Sequence, residues 1–253
     1  PSSNSAIMII LAAFGISFGL ALGLGLLLDR LDKRFRYPEQ VTKELGLSIL
    51  GAIPAIRRVN SSDRDAEEAA QVVEAFRTIR MNLAHSYGAA GPVMLTISSP
   101  EPGDGKSLVS SNLALSFAEA GYRTLLIDGD IRRGELHRMF NTDRRPGLLD
   151  CLRGEATLED IPRATTHANL TLIPCGTRHH HGPELLGWAA MRDLMATLKA
   201  RYNVIIVDSP PLGAGIDPFV LGTATGNIML VLRSGETDRQ MAEAKLRLLD
   251  RLP

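Results

Sequence analysis

The chain has 253 residues, enough for one sizeable α/β core and an accessory segment. Lysine plus arginine number 28, as do aspartate plus glutamate, and aromatic residues make up only 5%; zero net charge argues against counterion-driven binding of nucleic acid, and so few rings argue against a base-stacking platform. Cys151 and Cys175 show neither CxxC nor zinc-ligand spacing and read as small apolar residues of a reducing compartment.

Residues 6–28 form a run of 23 without a charge. As a helix it is about 34 Å long, slightly more than the roughly 30 Å hydrocarbon layer of a bilayer. Its start, Pro-Ser-Ser-Asn-Ser, lacks the basic residues of a secretory leader, and Arg30, Lys33, Arg34 and Arg36 follow the run closely. The positive-inside bias predicts one transmembrane helix over 6–28, with residues 1–5 outside and the chain after Leu28 in the cytoplasm. Gly15, Gly19 and Gly23 share one face of that helix, a strip that suits close helix packing but is also common in membrane spans. Residues 29–65 read as a juxtamembrane segment and linker, with a mostly apolar stretch over 45–56 and a polar, tether-like run over 60–65. A helix is predicted over 66–84, its stripe of Val72, Phe76, Ile79 and Leu83 facing a core. Glu74, Arg77 and Arg80 fall on the opposite side as a charged face, either solvated or a contact between copies of the chain.

A buried strand is predicted over 92–98, then a turn, Ser-Pro-Glu-Pro-Gly-Asp-Gly-Lys-Ser, over 99–107, then a helix over 107–120. Strand, glycine-rich turn and helix in that order are the context of a P-loop. Gly103 and Gly105 let the backbone curl so that the amides from Gly103 through Asp104, Lys106 and Ser107 to Leu108 can converge on phosphate oxygens. Lys106 reaches terminal phosphates, and the Ser107 hydroxyl is placed for Mg²⁺. Pro100 stands where the GxxxxGKS pattern has its first glycine. Two further strands end in carboxylates, at Asp128 with Asp130 two residues on, and at Asp208 before Ser209-Pro210-Pro211. Ligands of open parallel sheets bind beyond the carboxyl ends of the strands, so these three aspartates are predicted beside the phosphate loop, for metal binding or proton transfer. Strands over 169–174 and 227–232, a helical stripe of Trp188, Met191, Met195 and Leu198, and a closing helix over 238–252 complete the pattern. The fold class is therefore α/β, a P-loop NTPase-type, mostly parallel sheet flanked by helices and preceded by one transmembrane helix, with the P-loop domain over 66–253. His179, His180 and His181, adjacent in a loop, point to different sides and read as solvated rather than metal-binding.

At these residues the chain resembles the bacterial tyrosine kinases of polysaccharide export, the BY-kinases associated with Wzz-like co-polymerases. Glu74-Ala-Phe-Arg77-Thr-Ile-Arg80 is similar to the family's ExxRxxR oligomerisation motif, and the sequence LGLSILGAIP at 45–54 to its juxtamembrane segment. Residues 99–107 resemble its Walker A motif, 125–132 its Walker A′ and 204–211 its Walker B; residues 147–154 and 183–186 resemble two further family segments. The resemblance implies that Lys106 and Ser107 bind ATP and Mg²⁺, and that Ser107, Asp128 and Asp208 serve the metal while Lys106, Asp128, Asp130 and Asp208 serve catalysis. It implies a ring-like homo-oligomer at the bacterial inner membrane, phosphorylating tyrosines on its own subunits and controlling polymerisation and export of capsule or exopolysaccharide. Its implied partners are that machinery and a cognate phosphatase. The family's tyrosine cluster has no counterpart among Tyr37, Tyr87, Tyr122 and Tyr202, and the expectation is that the sequence is a piece of a longer protein. Two rival readings are a co-polymerase scaffold whose ATP site governs assembly, and a ParA/MinD-type ATPase. Against the latter, Glu101 stands where those proteins carry an early P-loop lysine.

Overall fold

The computed structural model of the chain describes residues 3–55, 62–88, 91–179, 185 and 189–249. Helix α1 runs over Ser3–Leu31, longer than the uncharged run because Asp29 and Arg30 continue its last turn. Within it, Leu11–Leu31 is long and apolar enough to cross a membrane, and none of that stretch is buried in the protein. A short helix α2 follows at Pro38–Leu45, with proline in its first turn, where no amide partner is lost.

Helix α3 spans Ser62–Tyr87, starting four residues before the sequence expectation. Residues 62–65 of the expected tether are therefore its first turn, while 60 and 61 lie outside the described residues. Polar composition misled here because serine and aspartate are favoured both in linkers and at helix starts. Phe76, Ile79 and Leu83 are buried as predicted, with Val72 packed partly against them. The segment before α3 is also docked: Leu50 and Ile53 pack on the same cluster, and Asn82 Nδ2 donates to the Leu50 carbonyl at 2.8 Å. Gly51 allows this approach, since a Cβ there would sit 2.6 Å from the Ile79 side chain.

The six-stranded sheet comprises β1 (Val93–Ser98), β2 (Thr124–Asp128), β3 (Arg163–Ala164), β4 (Leu170–Ile173), β5 (Val204–Asp208) and β6 (Ile228–Leu230). Their order is β3-β4-β2-β5-β1-β6, all neighbours parallel except the short edge strand β3. Such a sheet must be covered on both faces, which explains why β1, β2 and β5 are buried at every position. One face carries α3 and α4 (Lys106–Glu119) over Leu95, Ile97, Leu126 and Ile206. Onto the other pack α6 (Leu148–Leu152), α7 (Ala189–Arg201) and α8 (Asp217–Thr225), over Leu125, Ile127, Ile205 and Val207. A one-turn helix α5 (Leu136–Met139) and a 3-10 turn at Leu212–Ala214 shape the loops after β2 and β5. Helix α9 (Arg239–Leu249) closes the described chain, and Met191, Met195 and Leu198 are buried in the core, while the expected Trp188 falls outside the described residues.

Candidate active site

Three loops leave the carboxyl edge of the sheet side by side, after β1, β2 and β5. The loop after β1 turns through Gly103 and Gly105, both at φ 95°, a left-handed region that a side chain would strain. Gly105 caps α4, so the first amides of that helix, from Lys106 and Ser107 through Leu108, have no earlier carbonyl to bond and are available to an anion. Asp104 is buried and points away from that opening: its Oδ1 accepts from Thr237 Oγ1 at 3.0 Å and its Oδ2 from the Glu101 amide at 3.1 Å. Burial pushes its carboxyl above the usual range, against these hydrogen bonds. Asp104 thus braces the loop to the turn before α9, a link between residues 133 apart that no sequence pattern signals.

Parallel pairing of β2 with β5 places Asp128 directly opposite Asp208. Ser107 Oγ donates to Asp208 Oδ2 at 2.6 Å, and Lys106 Nζ lies 3.3 Å from Asp130 Oδ2. Asp130 Oδ1 accepts the Arg133 amide, and Asp128 Oδ2 the Leu136 amide, so the loop after β2 folds back onto its own carboxylates. The structure thereby brings Lys106, Ser107, Asp128, Asp130 and Asp208 to one place, all three aspartates buried.

Burial raises the Asp128 carboxyl well above the usual range, and the neighbouring Asp208 and Asp130 charges add to it. Burial likewise pushes Asp208 up to about 6, opposed by the Lys106 charge and the Ser107 hydroxyl. Asp128 Oδ1 and Asp208 Oδ1 are buried without a hydrogen-bond partner. Two unpartnered carboxylate oxygens beside a hydroxyl are hard oxygen donors missing a positive charge, which fits Mg²⁺ held by Asp128, Asp208 and Ser107. Magnesium keeps waters and phosphate oxygens as its other ligands, so a site with few protein donors suits it.

Sequence reasoning missed Asp217, at the start of α8. It is fully buried, and its Oδ2 accepts from Arg132 Nε at 2.9 Å, tying the loop after β5 to the loop after β2. An aspartate-proline pair opening a helix was the available signal. Of the charged face on α3, Glu74 and Arg77 are exposed and paired with each other at 3.3 Å. Arg80 differs from the expectation: it is half-buried, and its Nε donates to Ser116 Oγ of α4 at 3.2 Å, because its position borders the apolar stripe. The cysteines behave as apolar residues, Cys175 fully buried with its thiol pushed up to about 11 by burial. Among the described residues no cluster of His, Cys, Asp or Glu has metal-cage character, and His180 and His181 lie outside them.

Residues 94–231, more than half the chain, match the AAA domain family. The tyrosine-protein kinase CpsD of Streptococcus agalactiae is 34% identical over 187 residues, covering 74% of this chain and 81% of that protein. The tyrosine-protein kinase ptk of Acinetobacter johnsonii is 29% identical over 266 residues, 98% of this chain and 35% of its own length. The kinase domain of the Escherichia coli tyrosine kinase ETK superposes with a TM-score of 0.76 at 29% identity, over 85% of this chain and 89% of that one. The chain spans between 28% and 35% of the length of three of the curated relatives it matches.

Proposed function

The chain belongs to the bacterial tyrosine-protein kinases built on an AAA-type P-loop domain, and from that premise we propose that it is a membrane-anchored, ATP-dependent protein-tyrosine autokinase. The observation that carries the proposal is the convergence at one sheet edge of Lys106 on Asp130 and Ser107 on Asp208, beside Asp128. In this reading the amides from Gly103 to Leu108 cradle the phosphates of ATP, and Lys106 leaves Asp130 to meet the terminal phosphoryl group. Mg²⁺ on Ser107, Asp208 and Asp128 would add positive charge where the phosphate oxygens need it. Release of Lys106 frees Asp130, which with Asp128 can take the proton of a tyrosyl hydroxyl. A kinase and an ATPase differ here only in whether a phenol or water reaches the phosphorus.

The cellular role proposed is control of capsule or exopolysaccharide polymerisation and export from the bacterial inner membrane, by a ring-like homo-oligomer that uses Glu74, Arg77 and Arg80. Glu74 and Arg77 present side chains to a second copy, whereas Arg80 supports them from inside by anchoring α3 on α4. The test is to incubate the full chain in detergent with ATP and Mg²⁺ and read phosphotyrosine. The wild type should label, while Lys106→Met should label about 10²-fold less or worse, as expected for loss of a charge aimed at the transferred group. Equal labelling of the two, or none in the wild type, defeats the proposal.

A further inference from the structure

The chain contains 4 tyrosines, and the structure separates them sharply. Three lie at the end of the sheet away from the P-loop. Tyr87 donates its hydroxyl to the carbonyl of Met94, near the start of β1, and burial pushes its phenol up to about 12. Tyr122 precedes β2, its ring edge-on to Phe117 with centroids 5.6 Å apart. Tyr202 precedes β5 and packs against the core. Tyr87 and Tyr202 could not enter an active site without loss of packing, and Tyr122, 37% exposed, keeps its ring against Phe117.

Tyr37 differs on both counts. It is 64% exposed, and it lies at the P-loop end of the sheet. The reason is local: residues 33–36 run antiparallel to the turn that follows β6. The Phe35 amide donates to the Thr237 carbonyl at 3.1 Å, the Gly235 amide to the Phe35 carbonyl at 2.7 Å, and the Ser234 hydroxyl to the Arg36 carbonyl at 3.1 Å. Thr237 in turn holds Asp104 of the P-loop. Tyr37 is therefore carried to the nucleotide side by a clasp that begins at buried Phe35. Its backbone is fixed as well: Gln40 Oε1 accepts the amides of both Arg36 and Tyr37, at 2.8 and 3.1 Å. A phenol on a fixed, extended backbone, with its ring exposed, is the presentation an acceptor needs.

We propose that Tyr37 is a phosphorylation site of this kinase, modified by a second copy of the chain; this rests on the tyrosine-kinase reading above. In the transfer the Tyr37 Oη forms a bond to the γ-phosphorus of ATP, the bond from that phosphorus to the β–γ bridging oxygen breaks, and ADP leaves with the bond's electron pair. The phenolic proton passes to the carboxylates of the site. The product places about two negative charges at the N-terminus of α2 and next to Arg36, where the helix dipole and the guanidinium both favour it. There it competes with Asp29 and Asp32, which pair with Arg36 in the unmodified chain.

The experiment mixes two full-length variants in detergent with ATP and Mg²⁺. Lys106→Met chains keep Tyr37 but lack the phosphate-binding lysine, while Tyr37→Phe chains keep the site but lack the acceptor. Mass spectrometry of the Tyr37 peptide should find phosphate in the mixture and in the wild type, and only background in the Lys106→Met chain alone. Tyr37→Phe should still phosphorylate a tyrosine-containing copolymer at the wild-type rate, which shows that the variant is folded. Phosphotyrosine at other positions with none at Tyr37 overturns this proposal and leaves the kinase reading standing. Phosphate at Tyr37 in the wild type but not in the mixture overturns transfer between copies. No phosphotyrosine on any chain or on the copolymer overturns the kinase reading itself.

Discussion

Asp128 and Asp208 oppose each other on adjacent strands, and burial raises both carboxyls, Asp208 to about 6. A carboxyl that holds its proton more tightly when folded, against an ordinary value near 4, contributes stability below about pH 4 and loses it as pH rises through the folded value. The metal-free protein should therefore show a melting temperature that falls as pH rises from about 4 through about 6, with the raised carboxyl of Asp128 adding to the fall. Asp208→Asn should flatten the lower part of this dependence, and Mg²⁺ with ADP should restore stability at neutral pH by supplying the charge that the unpartnered oxygens lack. A melting curve flat over that range would show that the aspartates are solvated instead. Asp217 makes a second prediction at this scale. Arg132→Ala strands a buried carboxylate, at a cost of about 1–3 kcal/mol given that Arg132 is half-exposed. Adding Asp217→Asn should recover part of that loss in urea melts; strictly additive losses would mean that the pair is not coupled.

Among the elements, the juxtamembrane clasp makes the sharpest prediction. Phe35 is buried, and around it Arg239 donates its amide to the Lys33 carbonyl at 2.7 Å and its side chain to Glu44 and the Asp32 carbonyl, both at 2.9 Å. Phe35→Ala removes the apolar anchor, worth about 3–5 kcal/mol in a well-packed site. Amide exchange at Gly235 and Arg239 should then rise strongly while the β1 and β5 amides stay protected; unchanged exchange would mean that the polar contacts alone hold the clasp. The sequence pattern had this segment as a linker, since its anchors are backbone hydrogen bonds and ion pairs to residues about two hundred positions away, invisible to local periodicity. The sheet was far more legible. Its buried strands are mostly apolar runs, two of them (β2 and β5) ending in aspartate, and the P-loop helix follows a glycine turn that few other structures need. The site's convergence was legible for the same reason, because parallel pairing fixes which strand ends share an edge. Helix α8 escaped notice because Asp-Pro-Phe-Val-Leu-Gly-Thr-Ala-Thr shows no amphipathic stripe and is rich in weak helix formers; burial of most of its positions, not pattern, makes it a helix.

At the scale of the whole molecule, one surface has no aqueous explanation. Along α1 the side chains of Leu11, Phe14, Ile16, Phe18, Leu20 and Leu26 are each at least 60% exposed, and nothing in the described protein covers them. An apolar face of this length suits an apolar partner phase, and a run of 21 residues is long enough to cross a bilayer. With α1 in a bilayer, the charge pattern would set how the domain hangs from it: Arg30, Lys33, Arg34 and Arg36 follow at once, and Lys33 and Arg34 are also clasp residues. The same few residues would thus face the headgroups and hold the turn that braces Asp104, so the P-loop domain should be held against the membrane and not tethered loosely below it. In detergent phase separation the full chain should enter the detergent phase, and a chain beginning at Asp32 the aqueous phase. In vesicles, a spin label at Ser234 should report a position close to the lipid surface, and Phe35→Ala should move it outward. A full chain that stays in the aqueous phase would remove the membrane anchor, and a label equally distant in both proteins would remove the clasp as the link between bilayer and P-loop.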